Sequence, residues 1–321
     1  MSILGSHLLN LKNYSPQQIE QFFNFVDTLN TQKNQRRASL QDETFKMPTL
    51  AMMFFEPSTR TRLSFEMACH RAHCRSFFFD GGESTSLEKG ETIEDSIYNV
   101  LAMQPEGLLV RCSDKINIRE IIEKKIPELS PQTSFISAGW GTQAHPTQAL
   151  LDAYTLYGKF KKLKSLKLAI VGDVKHSRVA SSHFELLQIL GVDVVQCGPE
   201  SFLRQDSSVR KMKSIDDALD WADAVMALRV QLERHTNTIS LSQEPSGGMD
   251  QETYRNNFGI TKDRLQKMRK DQFILHPGPV NHGVELDSAV FDDPRSLIFS
   301  QVKNGVYVRE ALLRLFLKKE I

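Results

Sequence analysis

Short apolar segments alternate along the chain with longer segments in which apolar residues recur every three or four positions. Most short segments are bounded by Gly, Pro, Asp or Ser, as buried β-strands are. The predicted strands are 49–54, 76–79, 107–110, 133–137, 166–171, 192–196, 224–228 and 273–275.

The longer segments have the apolar spacing of amphipathic helices. The predicted helices are 15–29, 61–72, 93–103, 146–160, 179–190, 262–268 and 310–319. Strands and helices that alternate at this spacing are typical of parallel sheets covered on both faces. We therefore predict the α/β class, with two doubly wound parallel-sheet domains joined by bridging helices.

A lysine-rich segment at 159–164 divides the predicted strands into two sets of four. The length of 321 residues also suggests two domains. We place the first domain at 1–145 and the second at 146–299, and the helix that begins at Pro146 bridges them. The last helix lies in 300–321, and its apolar positions do not indicate the domain on which it packs.

The charge balance argues against several classes of protein. Lys plus Arg is 40 and Asp plus Glu is 39, which gives a net charge of +1, and 40% of the residues are apolar. A disordered chain would be less hydrophobic and more highly charged, and a nucleic-acid-binding chain would show a basic excess. The apolar run at 50–55 is far shorter than the roughly 20 residues of a membrane helix, and the N-terminus does not resemble a signal peptide. We expect no nucleic-acid partner and no membrane partner.

The four cysteines form no CxxC pair, which favours reduced thiols in a cytoplasm. Cys69, His70, His73 and Cys74 are potential metal ligands. One helical turn, however, presents at most two of them well to a single ion. We predict a cytoplasmic protein with no bound metal and no cofactor.

The segment Ser58-Thr59-Arg60-Thr61 lies between a predicted strand and a predicted helix. Ser58 suits the N-cap position. The first turn of such a helix offers free backbone N–H groups and the positive end of the helix dipole, and the hydroxyls and the arginine add further donors. The motif favours a phosphate site over an ordinary capped helix.

Two further segments of the first half carry candidate ligand-binding side chains. The segment 81–92 predicts a surface loop from which Lys89 can bring a positive charge to an anion, and a plain solvated loop is the alternative. Pro146 suits the first helical position, which puts His145 at the helix entrance and Gln148 one turn further. His145 can donate to a carbonyl oxygen that gains negative charge, and Gln148 can accept from an amide. A capping histidine is the alternative for His145.

The candidate groups of the second half follow predicted strands, which is where open α/β sheets bind ligands. Arg178 and Arg229 follow two of these strands, and each guanidinium can bind a carboxylate through two hydrogen bonds. A structural salt bridge is the alternative for either arginine alone. Arg111, at the end of the strand at 107–110, is a further candidate, and the segment 276–281 follows another strand.

These motifs together resemble the aspartate carbamoyltransferase family. FEPSTRTRLSFE, KGET, HPTQALLD, VGDVKHSRVA, LRVQLER and HPGPVNHGVELD occur in the family's order and at its spacing, from about Met47 to Arg309. STRTR with HPTQ is highly specific for carbamoyltransferases, and LRVQLER resembles the segment that favours aspartate as the acceptor. The ornithine branch instead carries an SMG loop and a Cys-Leu-Pro element.

The resemblance implies a role for each group of residues. The residues implied for the phosphate of carbamoyl phosphate are Ser58, Thr59, Arg60, Thr61 and Arg111. Those implied for its carbonyl and amide are Thr61, Arg111, His145, Gln148 and the backbone of Pro277, Gly278 and Pro279. Those implied for the carboxylates of L-aspartate are Arg178, Arg229 and Gln231. Those implied to be catalytic are Arg60, Thr61, Arg111, His145 and Lys89.

The resemblance also implies a homotrimer with shared active sites, in which Ser86 and Lys89 come from the neighbouring subunit. It returns the helix at 300–321 to the first domain. One departure is His282, which stands where many relatives have arginine. Regulatory chains or other enzymes of the pathway are possible additional partners.

The implied reaction is carbamoyl phosphate plus L-aspartate giving N-carbamoyl-L-aspartate plus phosphate, a step of pyrimidine biosynthesis. The resemblance implies that the amine of aspartate attacks directly, which fits the absence of a nucleophile–base arrangement in the sequence, and catalysis then depends on positioning and electrostatics. Two alternatives stay open: a carbamoyltransferase with another acceptor such as ornithine, and a non-catalytic anion-binding homologue.

Overall fold

A computed structural model describes residues 4–31, 47–81, 90–205, 209–230 and 250–318 of the chain. The chain forms two compact units. Unit 1 consists of Met1–Tyr154 and Val302–Ile321, and unit 2 of Thr155–Gln301. Each unit contains one parallel sheet of five strands, which confirms the predicted fold class. The domain boundaries predicted after residues 145 and 299 stay predictions.

Unit 1 is built on a sheet with the strand order β1-β5-β4-β2-β3. Its strands are β1 His7–Leu8, β2 Thr49–Phe54, β3 Arg75–Asp80, β4 Gly107–Cys112 and β5 Ser134–Trp140. Its first helices are α1 Pro16–Thr31, α2 Thr59–Ala72, α3 Ile93–Ala102, α4 Ile118–Glu120 and α5 Ile126–Leu129, with a π-helical turn at Ile121–Lys125. β2 and β4 are buried almost throughout, because both lie inside the sheet.

Unit 2 is built on a sheet with the strand order β10-β9-β6-β7-β8. Its strands are β6 Lys167–Val171, β7 Asp193–Cys197, β8 Arg210–Met212, β9 Ala224–Ala227 and β10 Phe273–Leu275. Its helices are α7 Arg178–Ile189, a 3₁₀ turn Glu200–Phe202, α8 Ile215–Trp221, α9 Gln251–Phe258, α10 Lys262–Lys267 and α11 Ala289–Asp292. The sheet residues Ala169, Val195 and Val225 pack with Ile215 and Leu265 in the core.

Two helices contain the unit boundaries. α6 Pro146–Phe160 contains the first boundary and α12 Ile298–Leu317 the second. In unit 1, α12 is tied to the sheet and to α2, because Ser134 Oγ donates to the Phe316 carbonyl and Arg314 Nη2 donates to the Arg71 carbonyl. Within the described residues, no helix is long and apolar enough to span a membrane.

The sequence predicted four strands in each sheet, whereas each sheet has five. β1 and β8 have two and three residues, which is too short for an apolar pattern to emerge from the sequence. The last helix was predicted at 310–319 but begins at Ile298. In its first turns, Phe299 and Val302 are largely exposed. The apolar face is therefore incomplete there, and the hydrophobic pattern predicts a helix that is too short.

Candidate active site

The candidate side chains of unit 1 lie where three neighbouring parallel strands end. β4 pairs with β2 on one side and with β5 on the other. The carboxyl ends of parallel strands meet at one edge of a sheet. The α2 N-terminus after β2, Arg111 at the end of β4, and His145 after β5 are therefore brought to the same edge.

The first turn of α2 has the geometry of an anion site. Ser58 is the N-cap residue, and its carbonyl accepts from the Arg62 N–H at 3.2 Å. In an α-helix, the first N–H groups lie before the start of the i→i−4 hydrogen-bond pattern and carry the positive end of the dipole. Thr61 is buried, whereas Thr59 and Arg60 are exposed. The turn thus presents backbone donors, hydroxyls and the Arg60 side chain together.

The predicted capping role of the Ser58 side chain differs from the structure. Ser58 occupies the cap position, but its hydroxyl makes no capping hydrogen bond. Its backbone, with φ −161° and ψ 85°, does not have the usual geometry of a serine cap. The Ser58 hydroxyl is therefore not used to cap α2.

Arg111 is positioned by a β-bulge. The β4–β5 register shifts between Val110 and Arg111, so that Val110 lies opposite Ser137 and Arg111 opposite Gly139. Bulges re-aim side chains at the ends of strands. The Arg111 side chain is only 12% exposed. Its Nη1 donates to the Ala138 carbonyl at 3.4 Å, and its Nε lies 3.8 Å from Glu56 Oε2.

A tight turn places His145 at the start of α6. Trp140 and Ala144 exchange two backbone hydrogen bonds, of 2.8 and 3.2 Å, around this turn. Gly141 has φ +44°, and a Cβ there would lie 2.0 Å from Asp114 Oδ1, so only glycine fits. His145 follows the turn and is buried.

Gln148 lies in the first turn of α6 with its amide orientation fixed. Its Nε2 donates to Asp152 Oδ1 at 3.0 Å and to Oδ2 at 3.2 Å. Both side chains are buried. Gln148 Oε1 is thereby directed away from Asp152 as an acceptor, which suits an amide N–H of a ligand.

The candidate side chains of unit 2 also lie at neighbouring strand ends. β9 pairs with β6 on one side and with β10 on the other. Arg178 is the first residue of α7, which follows β6, and Ser177 caps that helix by accepting from the Ala180 N–H. Arg229 follows β9, and Pro277–Pro279 follows β10. The structure thus brings these groups to one edge of this sheet.

A chain of polar contacts holds Arg229 and the turn after β10. Arg229 Nε donates to Asn281 Oδ1 at 3.4 Å, and Asn281 Nδ2 donates to the Val230 carbonyl at 3.0 Å. The Asn281 N–H donates to Glu285 Oε1, which lies 3.4 Å from His276 Nε2. The Gly278 N–H donates to His276 Nδ1 at 2.8 Å. Sequence reasoning did not assign these supporting contacts, and those of Asn281 with Arg229 and Val230 join residues 52 and 51 positions apart.

Three predicted site residues lie outside the described residues: Ser86, Lys89 and Gln231. His282 stacks on the Phe291 ring at 4.6 Å between centroids. Cys69 and Cys74 are buried, and burial raises the pKa of the Cys69 thiol to about 12. Among the residues that the structure describes, no group of three or more His, Cys, Asp or Glu is arranged to hold a metal ion.

Two family profiles match nearly the whole chain. The carbamoyl-phosphate-binding domain of aspartate/ornithine carbamoyltransferases matches residues 6–158, and the aspartate/ornithine-binding domain matches residues 164–316. The chain is 38% identical over 312 residues to an aspartate carbamoyltransferase catalytic subunit from Sulfurovum, with 97% of this chain and 98% of that protein covered. It is 41% identical over 273 residues to the corresponding subunit from Helicobacter pylori strain Shi470, with 84% of each chain covered.

Solved structures of the same kind share the fold. The catalytic subunit of aspartate transcarbamoylase from M. jannaschii matches with a TM-score of 0.79 and 27% identity, over 98% of this chain and 99% of that one. Aspartate transcarbamoylase from Trypanosoma cruzi, solved with carbamoyl phosphate and aspartate, matches with a TM-score of 0.76 over 96% of each chain. At 22% identity, this second likeness concerns the fold.

Proposed function

The chain belongs to the aspartate/ornithine carbamoyltransferase family, and from that premise we propose that it transfers the carbamoyl group of carbamoyl phosphate to L-aspartate. The products are N-carbamoyl-L-aspartate and phosphate, as in pyrimidine biosynthesis. One observation carries the proposal: the α2 N-terminus, Arg111 and His145 lie along three adjacent strand ends of unit 1. The aspartate carbamoyltransferase relatives make the ornithine alternative the weaker one.

Unit 1 binds carbamoyl phosphate in this proposal. The phosphate accepts hydrogen bonds from the first turn of α2, where Ser58, Thr59, Arg60 and Thr61 lie, and from Arg111. Supporting observations are the helix-start geometry and the low exposure of Arg111, which strengthens its charge interactions. His145 donates to the carbamoyl oxygen, and Gln148 accepts from the carbamoyl amide.

Unit 2 binds L-aspartate. Arg178 and Arg229 each bind one carboxylate, with Gln231 assisting and the backbone of Pro277, Gly278 and Pro279 contacting the carbamoyl group. The positions of the two arginines at the ends of β6 and β9 support this assignment. The contact from Asn281 limits the freedom of the Arg229 side chain, which lowers the entropy lost when a carboxylate binds.

The reaction forms one C–N bond and breaks one C–O bond. The neutral amine of aspartate attacks the carbamoyl carbon, and an oxyanion develops on the carbamoyl oxygen. Donors already oriented toward that oxygen, from Thr61, Arg111 and His145, stabilise it more than they stabilise the ground state. Phosphate leaves with the C–O electron pair and can take the proton from the amine, so the proposal needs no protein base.

A homotrimer with shared sites is the proposed working assembly. The outward face of α2 exposes Leu63 and Met67, one turn apart, at 54% and 49%, and the edge strand β3 exposes Phe77 at 59%. Exposed apolar groups of this size on a helix and an edge strand are typical of subunit interfaces. Ser86 and Lys89 follow this strand in the sequence. A cytoplasmic location is also proposed, supported by the four free, buried cysteines.

A coupled assay tests the proposed function. The purified chain is incubated with carbamoyl phosphate and either aspartate or ornithine, and the carbamoylated product is quantified while native mass is measured. We expect the aspartate product and the mass of three chains. Turnover with ornithine alone would instead favour the other branch, and phosphate binding without turnover would indicate a non-catalytic homologue.

A further inference from the structure

Gln148 is fixed by a carboxylate that has no exposure to solvent. Both oxygens of Asp152 accept from Gln148 Nε2, and Asp152 is 0% exposed. A carboxylate can only accept, so the amide must turn its NH₂ toward Asp152. The charge of Asp152 therefore decides which end of the Gln148 amide is left for a ligand.

Asp152 is coupled to a buried cation from another helix. Arg309 of α12 is buried, and this burial lowers its pKa to about 10, while the Asp152 carboxylate acts to raise it. Arg309 Nη1 donates to Ser64 Oγ of α2 at 2.7 Å. Hydrogen bonds thus link Gln148 to Asp152 within α6 and Arg309 of α12 to Ser64 of α2, and a charge interaction between Asp152 and Arg309 relates the two pairs.

Gly305 leaves room for the guanidinium of Arg309. A Cβ at position 305 would lie 2.7 Å from Arg309 Nη1 and 3.2 Å from Leu151 Cδ2. The first distance is well inside van der Waals contact, so any larger residue would displace the guanidinium. Glycine at position 305 of α12 thus leaves the volume that the Arg309 guanidinium occupies.

We propose that Asp152 is a positioning residue that selects the carbamoyl group by holding Gln148 Oε1 toward its amide N–H groups. The inference rests on the proposed function and adds to it a source of selectivity. An acyl phosphate without an amide, such as acetyl phosphate, offers no N–H donor to Gln148. Asp152 therefore strengthens binding of carbamoyl phosphate but not of acetyl phosphate or inorganic phosphate.

The variant Asp152→Asn tests the proposal. An asparagine at this position can donate to Gln148 Oε1, so it permits the Gln148 amide to flip. In the flipped orientation, Gln148 Nε2 faces the N–H groups of the substrate, and two donors then face each other. We expect the KM for carbamoyl phosphate to rise about tenfold or more, the scale of one lost hydrogen bond that leaves a buried donor unsatisfied. The inhibition constants of acetyl phosphate and inorganic phosphate should stay within about twofold, because neither probe contacts the Gln148 amide through an N–H group.

A double-mutant cycle separates positioning from general support of the fold. Gln148→Ala should by itself remove the selectivity, and adding Asp152→Asn should then change it no further. Fully additive effects of the two substitutions, or equal weakening of all three anions, would show a merely structural role and overturn the proposal.

Gly305→Ala provides a second variant that does not depend on the stability of Asp152→Asn. Alanine suits a helix better than glycine, yet its Cβ displaces Arg309. We expect a loss of selectivity in the same direction, of about threefold. Gly158→Ala in α6 is the matched control, because its Cβ has nothing within 4 Å, and it should behave as wild type. Unchanged selectivity in Gly305→Ala would contradict the inference.

The outcomes distinguish this inference from the proposed function. Wild-type protein that does not carbamoylate aspartate would overturn the proposed function. Active wild-type protein whose Asp152→Asn and Gly305→Ala variants keep full selectivity would overturn only the inference.

Discussion

Arg60 is the exposed cation in the first turn of α2. We predict that Arg60→Ala lowers kcat about 100-fold or more, because it removes one donor from a group that gains negative charge as it leaves. Steady-state kinetics with both substrates measures this. Arg119→Ala, which changes an exposed arginine of α4, is the control and should turn over normally. A wild-type rate for Arg60→Ala would contradict its assigned role.

Arg229 is the half-buried arginine that Asn281 contacts in unit 2. We predict that Arg229→Ala chiefly raises the KM for aspartate, by about tenfold or more, since a charge-assisted pair with a carboxylate is lost. The KM for carbamoyl phosphate should change little. Arg210→Ala, at the edge strand β8 of the same unit, is the control. The acceptor-side assignment would be wrong if only carbamoyl phosphate binding were lost.

Some of the candidate site residues are easier to predict from the sequence than others. Ser58 to Thr61, Arg178 and Arg229 stand out because helix starts and strand ends are visible in the apolar pattern, although their roles remain predictions. Asp152 lies four residues after Gln148, a spacing that places two side chains on one helix face and could have indicated the pair. The partnership of Asn281 with Arg229 joins separate strand ends, and no local pattern reveals it.

At the scale of elements, long and strongly periodic segments were predicted best. The strand Thr49–Phe54 and the helix Pro146–Phe160 have the predicted bounds. α9 was not predicted, because its helix has few apolar residues and only Tyr254 is buried. Strands as short as β1 and β8 are defined by pairing with a neighbour, which a single sequence does not show.

Asp287 connects two short helices of unit 2, α9 and α10. It accepts two hydrogen bonds from Arg255 of α9, at 2.9 and 2.8 Å, and one from the Lys262 N–H of α10 at 2.9 Å. Burial acts to raise the pKa of Asp287, but these hydrogen bonds outweigh it and hold the pKa below its usual value. The ionised carboxylate is therefore favoured in the folded state.

We predict that Asp287→Asn lowers the free energy of unfolding by about 1 kcal/mol at pH 7, a modest value because Arg255 is 38% exposed and solvent screens the pair. A carboxyl whose pKa is lower in the folded state stabilises above its unfolded pKa and loses that effect as pH falls through the folded pKa. The difference from wild type should thus shrink below about pH 4.

Denaturant unfolding at pH 7 and at pH 3 measures the effect of Asp287→Asn. Asp271→Asn is the control, because Asp271 is 81% exposed beside Arg269 and should contribute little at either pH. A difference between Asp287→Asn and wild type that is equally large at both pH values would contradict the electrostatic account.

At the scale of the whole molecule, the anion-binding groups proposed for the two units share one arrangement. Each unit has an arginine at the end of a strand that is flanked on both sides, Arg111 in the last two residues of β4 and Arg229 just after β9, with a helix N-terminus after a neighbouring strand. For a chain with a net charge of +1, binding the two proposed anionic substrates requires a local concentration of cations and N–H donors. In the proposed function, the repeated strand-end geometry is the source of this local concentration in each unit.

Shared sites make a quantitative prediction about mixed assemblies. If Lys89 completes the site of a neighbouring chain, Lys89→Ala chains and Arg60→Ala chains should each be nearly inactive alone. In a cyclic trimer, every interface joins the Arg60 side of one chain to the Lys89 side of the next. Any trimer containing both variants then has one interface with both residues intact, so its activity should be about one third of wild type.

The mixed trimers are made by unfolding and refolding the two variants together, and are isolated by a charge tag on one of them. Refolded samples of each variant alone are the controls for losses during handling. Recovery to about one third places Arg60 and Lys89 of different chains in one site. No recovery in trimers of verified composition would mean that each chain supplies its own Lys89, and the exposed apolar residues of α2 and β3 would then need another explanation.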